Sequence, residues 1–402
     1  MSRRIRQRQP DFKEPASPRP FVSIVLVTYH TKAHLIENCL TALRKLDYAP
    51  LEDDDSLAGC GAALDGSAKQ NFEVIIVDNA SAASASSPPA SSAQAASHLP
   101  KASTISDSPG EGTREALKRC VREEKLILNE CNRGFSGGCN DGICQAKGEI
   151  IVLLNVDTEV DADWLTELVR PLLHDRRAAM AGCKMYYPPK LDLQDPAERP
   201  GSADAPASST GSPQAGSASS PQAPRGKIQH AGGVIHPNAM VEHRGYGEED
   251  VGQWDEEVEV DYVTGASVAI RREFLELCGG GLDEDYFPAY YEETDLCYRA
   301  RLMGYRVLYA PRATLVHHES TLLGVGSPLF NRLCYRGRIL FCLKNYRLRD
   351  WLFKFIPNEI AWLRAPHSKG FRRIQLRAYL DGLKFLFGHR YTPDQPFPKN
   401  RK

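Results

Sequence analysis

The chain has 402 residues, 42% of them hydrophobic and 25% charged, with a formal net charge of −1, which is enough for one large domain or two smaller ones. No apolar run reaches the roughly 18 residues of a membrane span, and the eleven cysteines contain neither a CxxC pair nor a zinc-like spacing. A membrane-spanning protein and a zinc module are therefore excluded, and a soluble or surface-bound protein with reduced, cytosolic thiols is expected.

The N-terminus, "MSRRIRQRQPDFKEP", is basic without the apolar segment of a secretory signal, so residues 1–20 are read as a basic disordered segment. Phe21–Val27 reads as a buried strand, and Thr31 is placed to cap a helix whose Leu35, Cys39, Ala42, Leu43 and Leu46 share one stripe. "NFEVIIVDNAS" is a second buried strand ending in Asp78, Lys125–Glu130 a third, and "EIIVLLNVD" a fourth that runs into Asn155, Asp157 and Glu159. Strands separated by helical stretches predict right-handed crossovers and a doubly wound α/β sheet. In such sheets ligands sit at the carboxyl ends of the strands. Three stretches, about 50–70, 81–112 and 188–224, are rich in Gly and Ala or in Ala, Ser and Pro, and are expected to be disordered loop insertions.

Beyond them, Glu259–Ile270 has strand character around a Gly-Ala-Ser kink, and Arg271–Leu277 begins a helix. A later helix places Leu296, Ala300 and Met303 on one face and stops at Gly304, ahead of a strand and the pair His317–His318. From about 321 to the end the sequence predicts a basic region of two or three amphipathic helices; residues 331–402 hold 17 Lys/Arg against 4 Asp/Glu.

Several residues carry chemistry, each with a duller alternative. Asp78 can hold a base or ribose, or shape an Asx-turn. "NRGFSGGCNDG" packs four glycines ahead of a helix, a cradle for a diphosphate with Arg133 adding charge, or a ligand-free turn. Asp157 is a hard ligand for Mg2+ or Mn2+, and Asp157 or Thr158 can equally cap the helix around Trp164. Glu159 points away from Asp157 if the strand continues. Glu292, Glu293 and Asp295 crowd a helix start, where the macrodipole favours acids and where a cleft carboxylate can act as a general base. One of His317 and His318 can complete a metal shell.

In this order the segments "VSIVLVTYH", "VIIVDNAS", "NRGFSGGCNDGI", "IIVLLNVDTEV" and "VDYVTGASVAIRREFLELCGGGLDEDYFPAYYEETDLCYRARLMGYRVLYAPRATLVHHES" resemble the family 2 glycosyltransferases, in particular their rhamnosyltransferase-like branch. The resemblance covers most of residues 21–320 and implies a GT-A fold there, a nucleotide-sugar donor, a divalent metal and inversion at the anomeric carbon. Carried onto this chain, it implies that Thr28, Tyr29 and Asp78 bind the nucleotide, with Arg133, Gly134, Gly137 and Asn140 beside it. It sets Asp157 and His317 on the metal, with Asn155 where a first Asp is usual. Gly265 and Ala266 fall at the acceptor-side wall, with Asp283 and Glu284 nearby. Glu293 stands where an Asp base is usual, Glu292 being the second choice, and His30 stands where Asn is usual.

The resemblance further implies a UDP- or dTDP-sugar, rhamnose among the candidates, and a glycan or lipid-linked acceptor in envelope polysaccharide synthesis; no recognition motif accompanies the basic charge, so no nucleic-acid partner is expected. Aromatic and basic residues such as Phe341, Trp351, Phe353, Lys354, Trp362 and Phe371 can lie on an anionic membrane at its inner, cytoplasmic face, or belong to an ordinary helical subdomain. A dinucleotide oxidoreductase needs a glycine fingerprint after the first strand, and "VTYHTKAHL" has no glycine. A nucleotidyltransferase, or an inactive scaffold that keeps the fold, remains the alternative.

Overall fold

The computed structural model describes residues 11–13, 19–48, 70–81, 112–189, 225–318, 326–367 and 370–388. Most of the three expected insertions and of the N-terminal segment lies outside the described residues. Phe12 is an exception to the expected N-terminal disorder. It is buried, stacks on Tyr305 at 4.4 Å, and its amide donates to the Arg176 carbonyl.

The first half alternates strands and helices as expected: β1 (Val22–Thr28), α1 (Ala33–Leu43), β2 (Phe72–Asp78), α2 (Thr113–Cys120), β3 (Lys125–Leu128), α3 (Gly134–Ile143) and β4 (Ile150–Asn155). There follow β5 (Thr158–Val160), α4 (Trp164–His174), β6 (Ala178–Tyr186), β7 (Ile228–His230), and the hairpin β8 (Gly233–Ile235) and β9 (Val241–His243). Next come β10 (Val258–Glu259), β11 (Ser267–Arg271), α5 (Arg272–Leu277), α6 (Glu292–Leu302) and β12 (Arg306–His317). The chain continues with α7 (Pro328–Asn345), α8 (Leu348–Asp350), α9 (Ile356–Arg364) and α10 (Phe371–Leu386).

The main sheet runs β10-β12-β6-β11-β4-β1-β2-β3. β1, β2, β3 and β4 pair in parallel, as do β6 and β12, while β11 lies antiparallel between β4 and β6. Six strands therefore point one way. Between β2 and β4 the chain order reverses about β1, and that crevice is where α/β sheets place ligands. β1 and β4 are apolar on both faces because helices cover both. Ile24 and Leu26 pack with α1 and α4, while Val25 faces α3 on the other side.

Local details depart from the sequence reading. α1 starts after Lys32 without a side-chain cap, and the Thr31 carbonyl instead accepts from Thr113. The fourth strand stops at Asn155, where Thr158 Oγ1 donates back to the Asn155 carbonyl and turns the chain. Residues 258–271 are two strands, not one, because the stretch between them forms the cavity wall described below.

The basic C-terminal helices are packed onto the domain. Arg336 donates to the Phe287 and Asp285 carbonyls, and Lys344 pairs with Asp283 and Asp285. Arg338, fully buried, donates to the Asn238 carbonyl and to Glu359, itself buried. Phe341, Trp362 and Phe371 are buried in this packing, which fits the helical-subdomain alternative for them, whereas Phe353 and Lys354 are exposed.

Candidate active site

A cavity of ≈ 450 Å3 opens at the carboxyl edge of β1, β2 and β4. Tyr29, Asn79 and the Asn155–Asp157 turn, which continue these strands, form one part of its wall. Gly134, Gly265 and Ala266, Glu292 and Glu293, and His317 complete the set that the sequence singled out.

Asp157 is buried at the end of the turn, with Oδ1 3.3 Å from His317 Nε2. Asn155 Nδ2 lies 3.5 Å from the same nitrogen. Of the two adjacent histidines, His317 faces the cavity, while His318 turns to Glu159 at 2.7 Å. Glu159 also accepts from Asn38 and so stays apart from Asp157. α4 begins after Asp163 without a side-chain cap, so neither Asp157 nor Thr158 caps it. A carboxylate and an imidazole would suit a divalent ion such as Mn2+. Among the described residues no group of three or more His, Cys, Asp or Glu is arranged to hold a metal alone. Two protein ligands alone would leave most of such an ion's positions to groups from outside the chain.

Gln229, which the sequence reading missed, orients this pair. Its Oε1 accepts from His317 Nδ1 at 2.8 Å, and its carbonyl lies 3.3 Å from His243 Nδ1. Holding a proton on Nδ1 leaves the Nε2 lone pair toward Asp157 and any ion there. Gln229→Leu should weaken Mn2+ binding by roughly ten- to a hundredfold, and Gln229→Glu should retain it, in titrations without donor. Equal affinity in all three proteins would remove Gln229 from this role.

The acids at the start of α6 divide. Glu292 is buried, and its Oε2 has no hydrogen-bond partner among the described residues. Burial, and then the neighbouring Glu293 charge, push its pKa well up. Glu293 is only partly buried, and desolvation raises it to about 7, partly countered by the α6 amides and the Thr294 hydroxyl. Asp295 turns away, taking Arg299, Tyr286 and Asn345 as partners, and ties α6 to α7.

The backbone ahead of these acids is held in an uncommon state. Tyr290 and Tyr291 both have positive φ, 80° and 79°. Tyr291 Oη donates to the Ala239 carbonyl, and Gly337 of α7 lets the helix press against the pair. A Cβ there would lie 2.8 Å from the Tyr290 carbonyl oxygen and 2.9 Å from Tyr291 Cδ2. Gly337→Val should cost about 1–3 kcal/mol in urea unfolding. By shifting Glu293 it should also lower any turnover by about a hundredfold.

Other expected residues lie outside the cavity wall. Asp78 is fully buried and takes Arg114 on one oxygen and the Ser81 amide on the other. Thr28 is buried. Arg133 pairs with Asp141 and Glu284, Gly137 packs against Arg133, and Asn140 brackets the Leu282 backbone. Asp283 is held by Lys344 and the Asp285 amide. None of these residues lines the cavity; the charged and amide side chains among them are engaged by neighbours, while the Thr28 hydroxyl has no hydrogen-bond partner among the described residues. Gly134 does line it. Its φ of +70° and the close Phe287 and Pro288 leave no room for a side chain. Asn79 organises this loop by accepting from the Arg133 amide and donating to Asn132 and the Gly134 carbonyl.

A further wall was invisible in the sequence. His230, His243 and Tyr262 cluster with ring centroids 4.6–6.0 Å apart. Burial depresses both imidazoles, His243 to about 4 and His230 well below its usual value. From α7 come Phe330, Asn331, Cys334 and Tyr335. The paired His residues in "QHAGGVI" and "VEHRGYG" were the available signal.

The arrangement of the sheet matches the GT-A fold: GalNAc-T7, solved with UDP, GalNAc and Mn2+, superposes with a TM-score of 0.50 at 13% identity, covering 95% of this chain and 60% of that one. Residues 101–231 match the family model described as Glycosyl transferase family 2. An uncharacterised protein, y4gI of Sinorhizobium fredii, is 27% identical over 288 residues, 70% of this chain and 25% of that protein. The O-antigen biosynthesis protein RfbC of Myxococcus xanthus is 27% identical over 183 residues, 44% of this chain and 11% of that protein. The chain thus spans a quarter or less of the length of these relatives.

Proposed function

We propose that the cavity binds a nucleotide-diphosphate sugar and moves the sugar, with inversion, to a hydroxyl of a glycan or lipid-linked acceptor. The observation that carries this reading is the convergence of two different pairs on one cavity, Asp157–His317 and Glu292–Glu293. Asp157 and His317 would hold Mg2+ or Mn2+, which when bound supplies Lewis-acid neutralisation of the diphosphate. Glu293 accepts the proton of the acceptor hydroxyl as its oxygen forms a bond to the anomeric carbon. The bond from that carbon to the diphosphate breaks, and its electron pair leaves with the diphosphate oxygen. One displacement inverts the centre, so no covalent nucleophile is required. Glu292, protonated, keeps the neighbouring charge low enough for Glu293 to act near neutrality.

A UDP- or dTDP-sugar is the expected donor, with rhamnose one candidate. The name of the Myxococcus relative supports polysaccharide synthesis, here proposed for the cell envelope, with the protein in the cytoplasm and in peripheral contact with the inner membrane face. The domain limits 21–320 and 321–402 are part of this proposal.

Calorimetric titration of UDP- and dTDP-sugars, with and without Mn2+, tests the reading. Metal-dependent binding of one donor is expected. Binding of a nucleoside triphosphate with pyrophosphate release would favour a nucleotidyltransferase, and no nucleotide binding would favour a scaffold.

A further inference from the structure

Fifteen large hydrophobic side chains are exposed among the described residues, and ten of them fall between Leu348 and Phe387. In α10 the two faces are regular. Phe371, Gln375, Ala378 and Gly382 are buried on the side that packs against α7. Leu376, Leu380, Leu383 and Phe387 repeat on the outward side at helical spacing, 47–74% exposed. The segment through α8 and α9 repeats the pattern with Leu352, Ile356 and Ile360, and Phe353 beside them is 73% exposed. Glu359 joins the two segments, accepting from Arg338 of α7 and from Tyr379 of α10. A merely solvated basic face would show polar side chains where these leucines and isoleucines stand.

Charge selects the occupant. Seven Lys and Arg of the described residues are exposed over the same span, among them Arg372, Arg373 and Arg377. No Asp or Glu is exposed there: Asp350 and Asp381 are half-buried and Glu359 is buried. Two copies of this face would bring like charges together. An anionic bilayer supplies both the missing negative charge and an apolar layer for the leucines. No helix of the described residues is long and apolar enough to cross a membrane.

We propose that the outward faces of the α8–α9 segment and α10 form an interfacial docking surface for an anionic lipid bilayer. The inference makes specific the peripheral location proposed above and rests on none of its chemistry, so its test uses neither donor nor acceptor. The full chain is sedimented with phosphatidylcholine vesicles, with and without about a quarter phosphatidylglycerol. Binding is expected only to the anionic vesicles, falling with salt. Leu380→Glu with Leu383→Glu should reduce it at least tenfold, and Arg372→Glu with Arg373→Glu should reduce it and flatten the salt dependence. Leu302→Glu, exposed but outside this face, should bind as the parent does, and circular dichroism checks the fold of each variant. Failure of the parent chain to bind anionic vesicles overturns the proposal. So does a concentration-dependent dimer lost in the leucine variant while vesicles go unbound, which would assign the face to a second copy.

Discussion

Glu293→Gln should lower glycosyl transfer by roughly a thousandfold while donor and metal affinity stay as in the parent protein. The amide keeps the size and the cavity position of the side chain but cannot accept the acceptor's proton. With its carboxyl raised to about 7 by burial, the parent enzyme should gain kcat/KM as pH rises through that value and level off above it, because the deprotonated form is the active one. The residual activity of the variant should lack this limb. The same shift acts on stability with the opposite sense. Between the ordinary carboxyl range and about 7 the folded state holds a proton that the unfolded chain has released, so stability falls as pH rises across that window. Glu293→Gln should therefore melt higher than the parent at pH above 7, with the difference shrinking toward acid. A variant with unaltered turnover would move the base to Glu292, whose carboxyl is more deeply buried and more strongly raised.

Asp157→Ala should abolish metal-dependent donor binding and reduce transfer by at least a thousandfold. The expectation is severe because Asn155 occupies the position of a second carboxylate, and a neutral amide cannot share the ion's charge. Among the residues brought together here Asp157 is the acid that meets His317. Chelation of the metal should reproduce the loss in the parent protein. His317→Ala should weaken the metal less, since the diphosphate and Asp157 remain. Titration of donor with and without Mn2+ separates these outcomes. Metal-independent donor binding in both variants would leave the ion without a role in donor capture.

The strands were legible because a segment buried on both faces has to be continuously apolar, as Ile24–Val27 and Ile150–Leu154 are. Their ends were legible too, since Asp157 and the His317–His318 pair interrupt that apolarity abruptly. What one dimension hides is which polar groups spend themselves on neighbours. Arg133 and Asn140 sit in a glycine-rich helix that reads like a phosphate cradle, yet Glu284, Asp141 and the Leu282 backbone engage them. Asp78 is consumed by Arg114, a residue just beyond a long insertion, where no periodicity announces a contact. Gln229, His243 and Tyr262 lie on two- or three-residue strands and irregular loops, too short for a hydrophobic repeat to mark them. The C-terminal aromatics were left between two readings for a related reason. Composition counts Phe341 and Phe353 alike, and only packing tells the buried one from the exposed one.

The fully buried Arg338 gives the C-terminal helices a consequence for modularity. It joins α7 to the loop at Asn238 and to Glu359 of α9, so neither partner can be removed without stranding a charge in the interior, a loss of about 3–5 kcal/mol. Because α7 also carries Phe330, Asn331 and Tyr335 into the cavity, whatever substrate preference those side chains impose is inherited together with the tail. A chimera joined near residue 320 would exchange part of the reaction chamber, and not a detachable anchor. Diversification of such a chain is accordingly easier in the Ala-, Ser- and Pro-rich stretches than in its helical end.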